Sequence, residues 1–279
     1  MIRLLILDIE GVLTLPGGGQ HPWPLEELLR LRTRLAAAPF ATVLCSGRQA
    51  PYGEAMIQAL DLFRPVQEPY RAAFHAATGH DFLAWPSMLE NGGWFYDPLA
   101  KRALPHPALT PEAVATLREL QREALEPFAA STGAEVEAGK NFCISLVSPP
   151  ARLGSAERAP IDRFRLEVEA AVEDHLGPEW RQQVAIKHSL SAVDVNPKSV
   201  SKVSAVRILL SWSGLRAEEV AGVGDTRADE EWLQVVGHRA APANGRAALP
   251  GLEFYAESEV VGGTLEIVDW LCERKVSTG

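Results

Sequence analysis

The stretch that most constrains how this chain can fold is Leu4-Leu5-Ile6-Leu7-Asp8-Ile9-Glu10-Gly11. An unbroken run of branched apolar residues, with no polar alternate, predicts a strand covered on both faces, as in the middle of a parallel sheet. The run gives way to carboxylates at Asp8 and Glu10, then to Gly11, where the chain can turn sharply. Open α/β sheets bind their ligands just outside the carboxyl ends of the strands. Two acids at that edge suit chemistry better than packing, although an Asp there also serves to cap a turn.

The next residues repeat the pattern. A loop at Leu15 to Gly19 leads to a predicted helix carrying Leu25, Leu28, Leu29 and Leu31 and ending near Ala38. Ala41 to Cys45 is a second short apolar strand, ending at the polar turn Ser46-Gly47-Arg48. Strand, helix, strand is the βαβ signature of a parallel sheet. A helix over Glu54 to Leu62 and a turn at Glu90-Asn91-Gly92-Gly93 follow. Composition then shifts, and residues 94–188 read as an inserted α+β block: Thr110-Pro111 opens a helix with a capping hydroxyl, Phe142 to Val147 and Val184 to Ile186 read as strands, and Ile161 to Leu176 is amphipathic.

The α/β rhythm then returns. Ala192 to Val195 is expected as a strand, Ser199 to Ser211 as a helix, and Val220 to Gly224 as a strand ending on Asp225. Arg239 to Pro242 is a further short strand, and Leu265 to Cys272 a closing helix with Thr264 as its N-cap. The expected core is therefore 1–93 with 189–279, interrupted by 94–188.

Across its 279 residues the chain carries a formal charge of −9, which disfavours broad contact with nucleic acid or an anionic membrane. Any phosphate it binds needs a local cation or a metal. Its three cysteines, Cys45, Cys143 and Cys272, form neither a disulfide framework nor a CxxC metal spacing. Leu4 to Leu7 is too short for a signal-peptide core, so a cytoplasmic protein is expected.

Four separated features, Asp8/Glu10, Ser46, Lys202 and Asp225/Asp229, together resemble the haloacid dehalogenase (HAD) superfamily. Asp8 to Thr14 is similar to its first motif, DxDGxx[TV]; Leu44 to Arg48 resembles the second, Val200-Ser201-Lys202 the third, and Gly224 to Asp229 the fourth, GDxxxD. The Glu90-Asn91-Gly92 turn and the insertion after it resemble the Cof-like branch, which has a type IIB cap. The resemblance implies a Rossmann-like core with a central parallel sheet, an inserted α+β cap, and Mg²⁺-dependent hydrolysis of a small phosphorylated metabolite, such as a sugar or polyol phosphate. A phosphomutase, or a binding protein on a degenerate scaffold, are the alternatives.

On this resemblance Asp8 is the nucleophile and forms an aspartyl-phosphate. Asp8, Asp225, Asp229 and the Glu10 backbone carbonyl hold Mg²⁺, a hard cation that prefers oxygen. Ser46 and Gly47 donate to the phosphoryl oxygens. Lys202, preferred over Lys198, offsets the gathered negative charge, and Glu10 is the general acid. A turn-capping role for Asp225 and a solvated surface role for Asp229 stand as the bland alternatives. Arg48, Asn91 and Asn244 are candidates to line the site, with a structural role favoured for each. Two residues depart from the family pattern: Glu10 stands where the second Asp is usual, and Ala228 where Cof-like members carry Asn. Glu reaches roughly 1.3 Å further than Asp, close to one C–C bond, so the loop around Gly11 and Pro16 is expected to be set back in compensation.

Overall fold

In the computed structural model, which describes residues 1–15, 21–149, 159–189 and 191–274, strand β1 is Leu4–Leu7 and every one of its side chains is buried. The expected loop from Pro16 to Gly19 lies outside the described residues. On one side β1 pairs in parallel with β2 (Ala41–Leu44). On the other it pairs in parallel with the strand Val220–Val223. The latter continues the sheet through His238–Ala241 to Phe254–Tyr255, giving five parallel strands with β1 second from one edge.

Alternate residues of β1 face opposite apolar layers, as the strand pleat requires. Leu5 and Leu7 pack with helix α1 (Leu25–Ala37), helix α2 (Ala50–Leu60) and the C-terminal helix Val260–Glu273. Leu4 and Ile6 pack with helix α3 (Tyr70–Thr78) and the helices Lys202–Ser213 and Arg227–Leu233. Each such fully buried Leu or Ile contributes about 1.5–3 kcal/mol of transfer free energy. That burial on both faces is why the opening run carries no polar residue.

Between α2 and the rest of the core lies a segment the sequence does not make legible. Strands β3 (Ser87–Leu89), β4 (Trp94–Asp97) and β5 (Arg102–Pro105) form a small sheet in which β3 and β4 are antiparallel. The turn joining β3 to β4 carries Glu90, Asn91 and Gly92, all at positive φ (51°, 55° and 94°). Its backbone is tied to the end of β2: Glu90 N donates to Arg48 O at 3.0 Å and Asn91 N to Ser46 O at 3.0 Å.

The chain divides into two compact units, 1–104 with 202–279, and 105–201. Both edges of the insertion fall later than the 94 and 188 read from the sequence. Residues 94–97 pair with β3 of the first unit, and Ala192–Pro197, read from the sequence as the core's return, pairs antiparallel with Ile144–Val147 and Val184–His188 of the insertion. Strands β6 (Glu135–Val136), β7 (Ile144–Val147), β8 (Val184–His188) and β9 (Ala192–Pro197) make this unit's antiparallel sheet, in the order β6-β7-β9-β8.

Helices α4 (Pro111–Leu120), α5 (Glu126–Thr132) and α6 (Ala159–Leu176) cover one face of that sheet, with Phe164, Val168, Ile144, Leu146, Val193 and Val195 in the shared core. Thr110 caps α4 as predicted, its hydroxyl accepting from Ala113 N at 3.2 Å. The alternate residues of β7 and β9 carry a buried polar group instead. Ser145 accepts from Lys140 and donates to Asp194, and Lys140 also reaches Glu137 at 2.8 Å.

The remaining elements of the first unit are α7 (Lys202–Ser213), β10 (Val220–Val223), α8 (Arg227–Leu233), β11 (His238–Ala241), β12 (Phe254–Tyr255) and α9 (Val260–Glu273). Thr264 is not the cap of α9, which begins four residues earlier. Its hydroxyl lies inside the helix and donates to Val260 O at 3.1 Å and to Val12 O at 2.8 Å, so Thr264 ties α9 to the loop after β1. Among the described residues no helix is long and apolar enough to cross a membrane.

Asp97 holds the small sheet in place. It is fully buried, and its carboxylate accepts from the backbone N–H groups of Leu83, Ala84, Leu99 and Ala100 at 2.6–3.2 Å. Asp97→Ala leaves those donors without their acceptor, and a loss of about 2–4 kcal/mol is expected in urea unfolding. A change within about 0.5 kcal/mol, the range of an ordinary surface substitution, would refute this anchoring role.

Candidate active site

The sheet register brings the predicted residues to one edge. Leu7 of β1 is paired with Leu44 of β2 and with Val223 of β10, so Asp8, Cys45 and Gly224 each stand one residue past the same rung. Ladder bonds carry one step further, with Asp8 N donating to Val223 O at 3.0 Å and Cys45 N to Leu7 O at 2.8 Å. Ser46 and Asp225 follow at once, both buried. Lys202 reaches the same edge from the first residue of α7.

Lys202 is the hub. Its ammonium donates to Asp8 Oδ2 and to Asp229 Oδ1, both at 2.8 Å, with 13% of the side chain exposed. Burial opposes its charge, but Asp229 and Asp8 hold its pKa well above the ordinary lysine value. Lys198, the rival read from the sequence, is exposed in the turn immediately after β9.

Asp229 is fully buried, which overturns the solvated alternative. Its Oδ1 accepts from Lys202 and from Trp232 Nε1 at 2.9 Å, and its Oδ2 accepts from Thr226 N, Thr226 Oγ1 and Asp225 N at 3.0–3.3 Å. Burial pushes its pKa up, but Lys202, Trp232 and Thr226 outweigh it and hold the carboxyl below the usual range. With Thr226 it forms the capping box of α8.

Asp225 differs. Asn244 Nδ2 donates to its Oδ2 at 3.2 Å, while its Oδ1 is buried and accepts no hydrogen bond among the described residues. Burial, then the negative charges of Asp8 and Asp229, push its pKa up to about 8. Burial likewise raises Asp8 to about 7 against the pull of Lys202, although Ile9 N also donates to its Oδ1 at 2.8 Å. An orphaned carboxylate oxygen beside two more acids, served by a single ammonium, is an environment short of positive charge. Asp8, Asp225 and Asp229 each offer an oxygen within 4.8 Å of the others, but both Asp229 oxygens already accept hydrogen bonds, so Asp8 and Asp225 are the carboxylates that fit a divalent cation.

The loop from Ile9 to Thr14 is closed on itself. Gly11 N donates to Thr14 O at 2.7 Å, and Leu13 N and Thr14 N both donate to Ile9 O, at 2.7 and 3.0 Å. Gly11 sits at φ +71°, and a Cβ there would lie 1.8 Å from Asp225 Oδ2, so only glycine is admitted. From outside, Asn244 Nδ2 donates to Gly11 O at 2.9 Å. The backbone therefore has no slack around Gly11. Glu10 turns to Arg48, whose Nη2 donates to Glu10 Oε1 at 2.5 Å.

Ser46 Oγ accepts from Arg48 N at 3.3 Å. It is not the N-cap of α2, since that helix begins at Ala50 with Gln49 as its cap residue. A Cβ on Gly47 would stand 2.9 Å from Asn91 Oδ1, so the turn after β3 packs directly on the end of β2. Burial pushes the Cys45 thiol well up, which leaves it un-ionised beside the site.

Arg48 and Asn244, candidates to line the site for which a structural role was favoured, both touch it, while Thr226 was given no role beyond its place in the fourth motif and Trp232 was not singled out. Arg48 and Asn244 act through contacts of long sequence separation that no local pattern marks, whereas Thr226 and Asp229 carry the spacing of a capping box and Trp232 reaches Asp229 from three residues on in the same helix. Asn244 lies 233 residues from Gly11, whose carbonyl it holds.

Residues 162–250 match the family model of haloacid dehalogenase-like hydrolases. Two phosphoglycolate phosphatases are similar in part. That of Methanothermobacter thermautotrophicus is 35% identical over 78 residues, 28% of this chain and 35% of the relative. The Sulfolobus acidocaldarius protein is 33% identical over 94 residues, 34% and 40% of the two chains. The chain thus spans well under half the length of these curated relatives.

Similarity to solved structures extends over nearly the whole fold. A Thermoplasma acidophilum protein superposes with a TM-score of 0.64 at 18% identity, covering 97% of this chain and 98% of the other. The sucrose-phosphatase of Synechocystis, solved with sucrose and phosphate, gives a TM-score of 0.58 at 17% identity, with 97% and 98% covered.

The raised carboxyls set a pH dependence. In the unfolded chain these acids ionise near 4, whereas folded, metal-free protein keeps protons on Asp8 to about 7 and on Asp225 to about 8. The folded state then binds more protons than the unfolded one, so these two groups lower stability as pH rises from about 4 to about 8. A divalent cation takes the place of those protons, and its stabilisation is expected to grow over the same interval. Thermal unfolding with and without millimolar MgCl₂, at about pH 5 and about pH 9, checks this. An equal Tm increment at both pH values would contradict it.

Proposed function

We propose, from the premise that this chain is a member of the haloacid dehalogenase-like hydrolases, that it is a Mg²⁺-dependent phosphomonoester hydrolase of small phosphorylated metabolites, working through an aspartyl-phosphate on Asp8. The observation that carries the reading is Asp8 at the end of the doubly covered strand β1, its Oδ2 fixed by Lys202, beside the Asp225 oxygen that has no partner among the described residues. The two partly similar proteins named phosphoglycolate phosphatases favour an ester of a small hydroxy compound as substrate.

Asp8 and Asp225, with the Glu10 backbone carbonyl, would hold Mg²⁺, which neutralises phosphoryl charge when bound. Asp229 supports them by fixing Lys202 and the turn at Thr226, since all its bonds are already committed. In the first step an Asp8 carboxylate oxygen bonds to phosphorus while the bond from phosphorus to the ester oxygen breaks. Ser46 and Gly47 donate to the phosphoryl oxygens, and Glu10 gives its proton to the leaving oxygen. In the second step water attacks phosphorus, Glu10 recovers the proton, and the bond to Asp8 breaks, freeing phosphate and the carboxylate. Lys202 stays charged throughout and steadies Asp8.

Turnover of para-nitrophenyl phosphate with Mg²⁺, lost on chelation and regained on adding metal, tests the reading. A panel of phosphorylated metabolites then identifies the substrate class. Asp8→Asn is expected to cost roughly a thousandfold or more in kcat while the fold remains intact. A variant retaining a tenth of the rate would sink the covalent mechanism.

Glu10→Gln is expected to slow esters of sugar alkoxides by roughly a hundredfold or more. The loss should be much smaller with para-nitrophenyl phosphate, whose leaving group departs without a proton. Equal losses on the two substrates would remove Glu10 from the acid role.

A further inference from the structure

We propose that Arg48 is the positioning residue for Glu10, and that the two side chains work as one unit in proton transfer. The inference rests on the phosphohydrolase reading above. It starts from the extra methylene of Glu10. The expected set-back loop extends to Pro16, which lies outside the described residues, whereas the described part, 9–14, is tightly tied. Residues 9–14 are closed by their own hydrogen bonds, held at Gly11 by Asn244, and held at Val12 by Thr264. Gly11 also lies too close to Asp225 for even a methyl group. With the backbone fixed, only the direction of the side chain can absorb the added length.

Arg48 sets that direction. Its Nη2 meets Glu10 Oε1 at 2.5 Å, with 15% of the Arg48 side chain and 34% of the Glu10 side chain exposed. Arg48 is itself anchored. Its guanidinium lies 5.1 Å from the centre of the Tyr52 ring, a cation–π contact. The Tyr52 hydroxyl accepts from Trp23 Nε1 at 3.0 Å, and the two rings meet edge to face at 5.4 Å. The Arg48 backbone is tied at both ends, its N–H to Ser46 Oγ at 3.3 Å and its carbonyl to Glu90 N at 3.0 Å.

An aspartate at position 10 would end roughly one C–C bond short of this guanidinium. Glu10 and Arg48 are therefore matched to each other in length, and a carboxylate that must meet a leaving oxygen within a few tenths of an ångström gains a fixed starting point.

A double-mutant cycle tests this with wild type, Arg48→Gln, Glu10→Gln and the double variant. Phenyl phosphate, whose leaving group needs a proton, and para-nitrophenyl phosphate are compared in the presence of Mg²⁺, and urea midpoints are measured without metal. Arg48→Gln is expected to lower kcat on phenyl phosphate about tenfold, with KM within about twofold. The loss on phenyl phosphate should exceed that on para-nitrophenyl phosphate. Arg48→Gln should cause no further loss in the Glu10→Gln background, and Arg48→Lys should recover part of the rate. Urea midpoints should be non-additive, since the two residues are in contact.

Additive urea midpoints would mean the pair does not form in solution, overturning the inference. Kinetic losses that multiply, or a loss expressed in KM alone, would overturn it while leaving the phosphohydrolase reading intact. No turnover of either ester by wild type would overturn both.

Discussion

Everything at the sheet edge depends on one buried ammonium shared between two carboxylates. Lys202 lies 2.8 Å from both Asp8 and Asp229, and Asp225 adds a third acid with an oxygen that accepts no hydrogen bond among the described residues. Burying charge costs several kcal/mol per ion, and replacing such a cluster with well-packed apolar side chains is often neutral or stabilising. Stability therefore does not account for this cluster, although the fold bears its cost. What the cluster provides is a fixed carboxylate at Asp8 and a local deficit of positive charge.

That cost is spread through contacts that fix the participants in place. Asp229 accepts five hydrogen bonds, so it is a strut with no lone pair to spare, whereas Asp225 keeps an oxygen in reserve. Two acids four residues apart thus divide into different jobs because one folds back to cap a helix and the other precedes it. The turn at Glu90 to Gly92 adds a second reservoir of strain. Non-glycine residues at positive φ cost of order 1–3 kcal/mol each, and this turn has two of them packed against Ser46 and Gly47.

The parallel core was legible because burial on both faces imposes an unmistakable composition on β1, β2 and β10, and because each of these strands gives way to polar residues. Asp8, Glu10 and Asp225 were readable at the strand ends for the same reason, whereas Asp229 and Lys202 were picked out by the family resemblance. The hairpin of β3 and β4 was not readable, since its strands are short and neither alternating nor continuously apolar. The strand at Ala192 was visible as a strand, but its partner was not. Nothing in its local composition distinguishes pairing with β7 and β8 from a place in the parallel sheet. Thr264 was misplaced as a cap because a threonine preceding an apolar run looks the same whether it starts a helix or sits one turn inside it.

By itself the sequence determined the buried strand β1 and the carboxylates at its end, because these follow from local composition, while the order of the four motifs came from their resemblance to the HAD superfamily. Only the tertiary structure decided which oxygen of which acid accepts no hydrogen bond among the described residues, that Glu10 meets Arg48, and that Asn244 reaches Asp225. Those outcomes depend on residues as far apart in sequence as Gly11 and Asn244 meeting within hydrogen-bond distance. A hydrogen bond is decided by tenths of an ångström and by angle, and such precision arises only when the register of the sheet and the packing of its helices fix both partners at once.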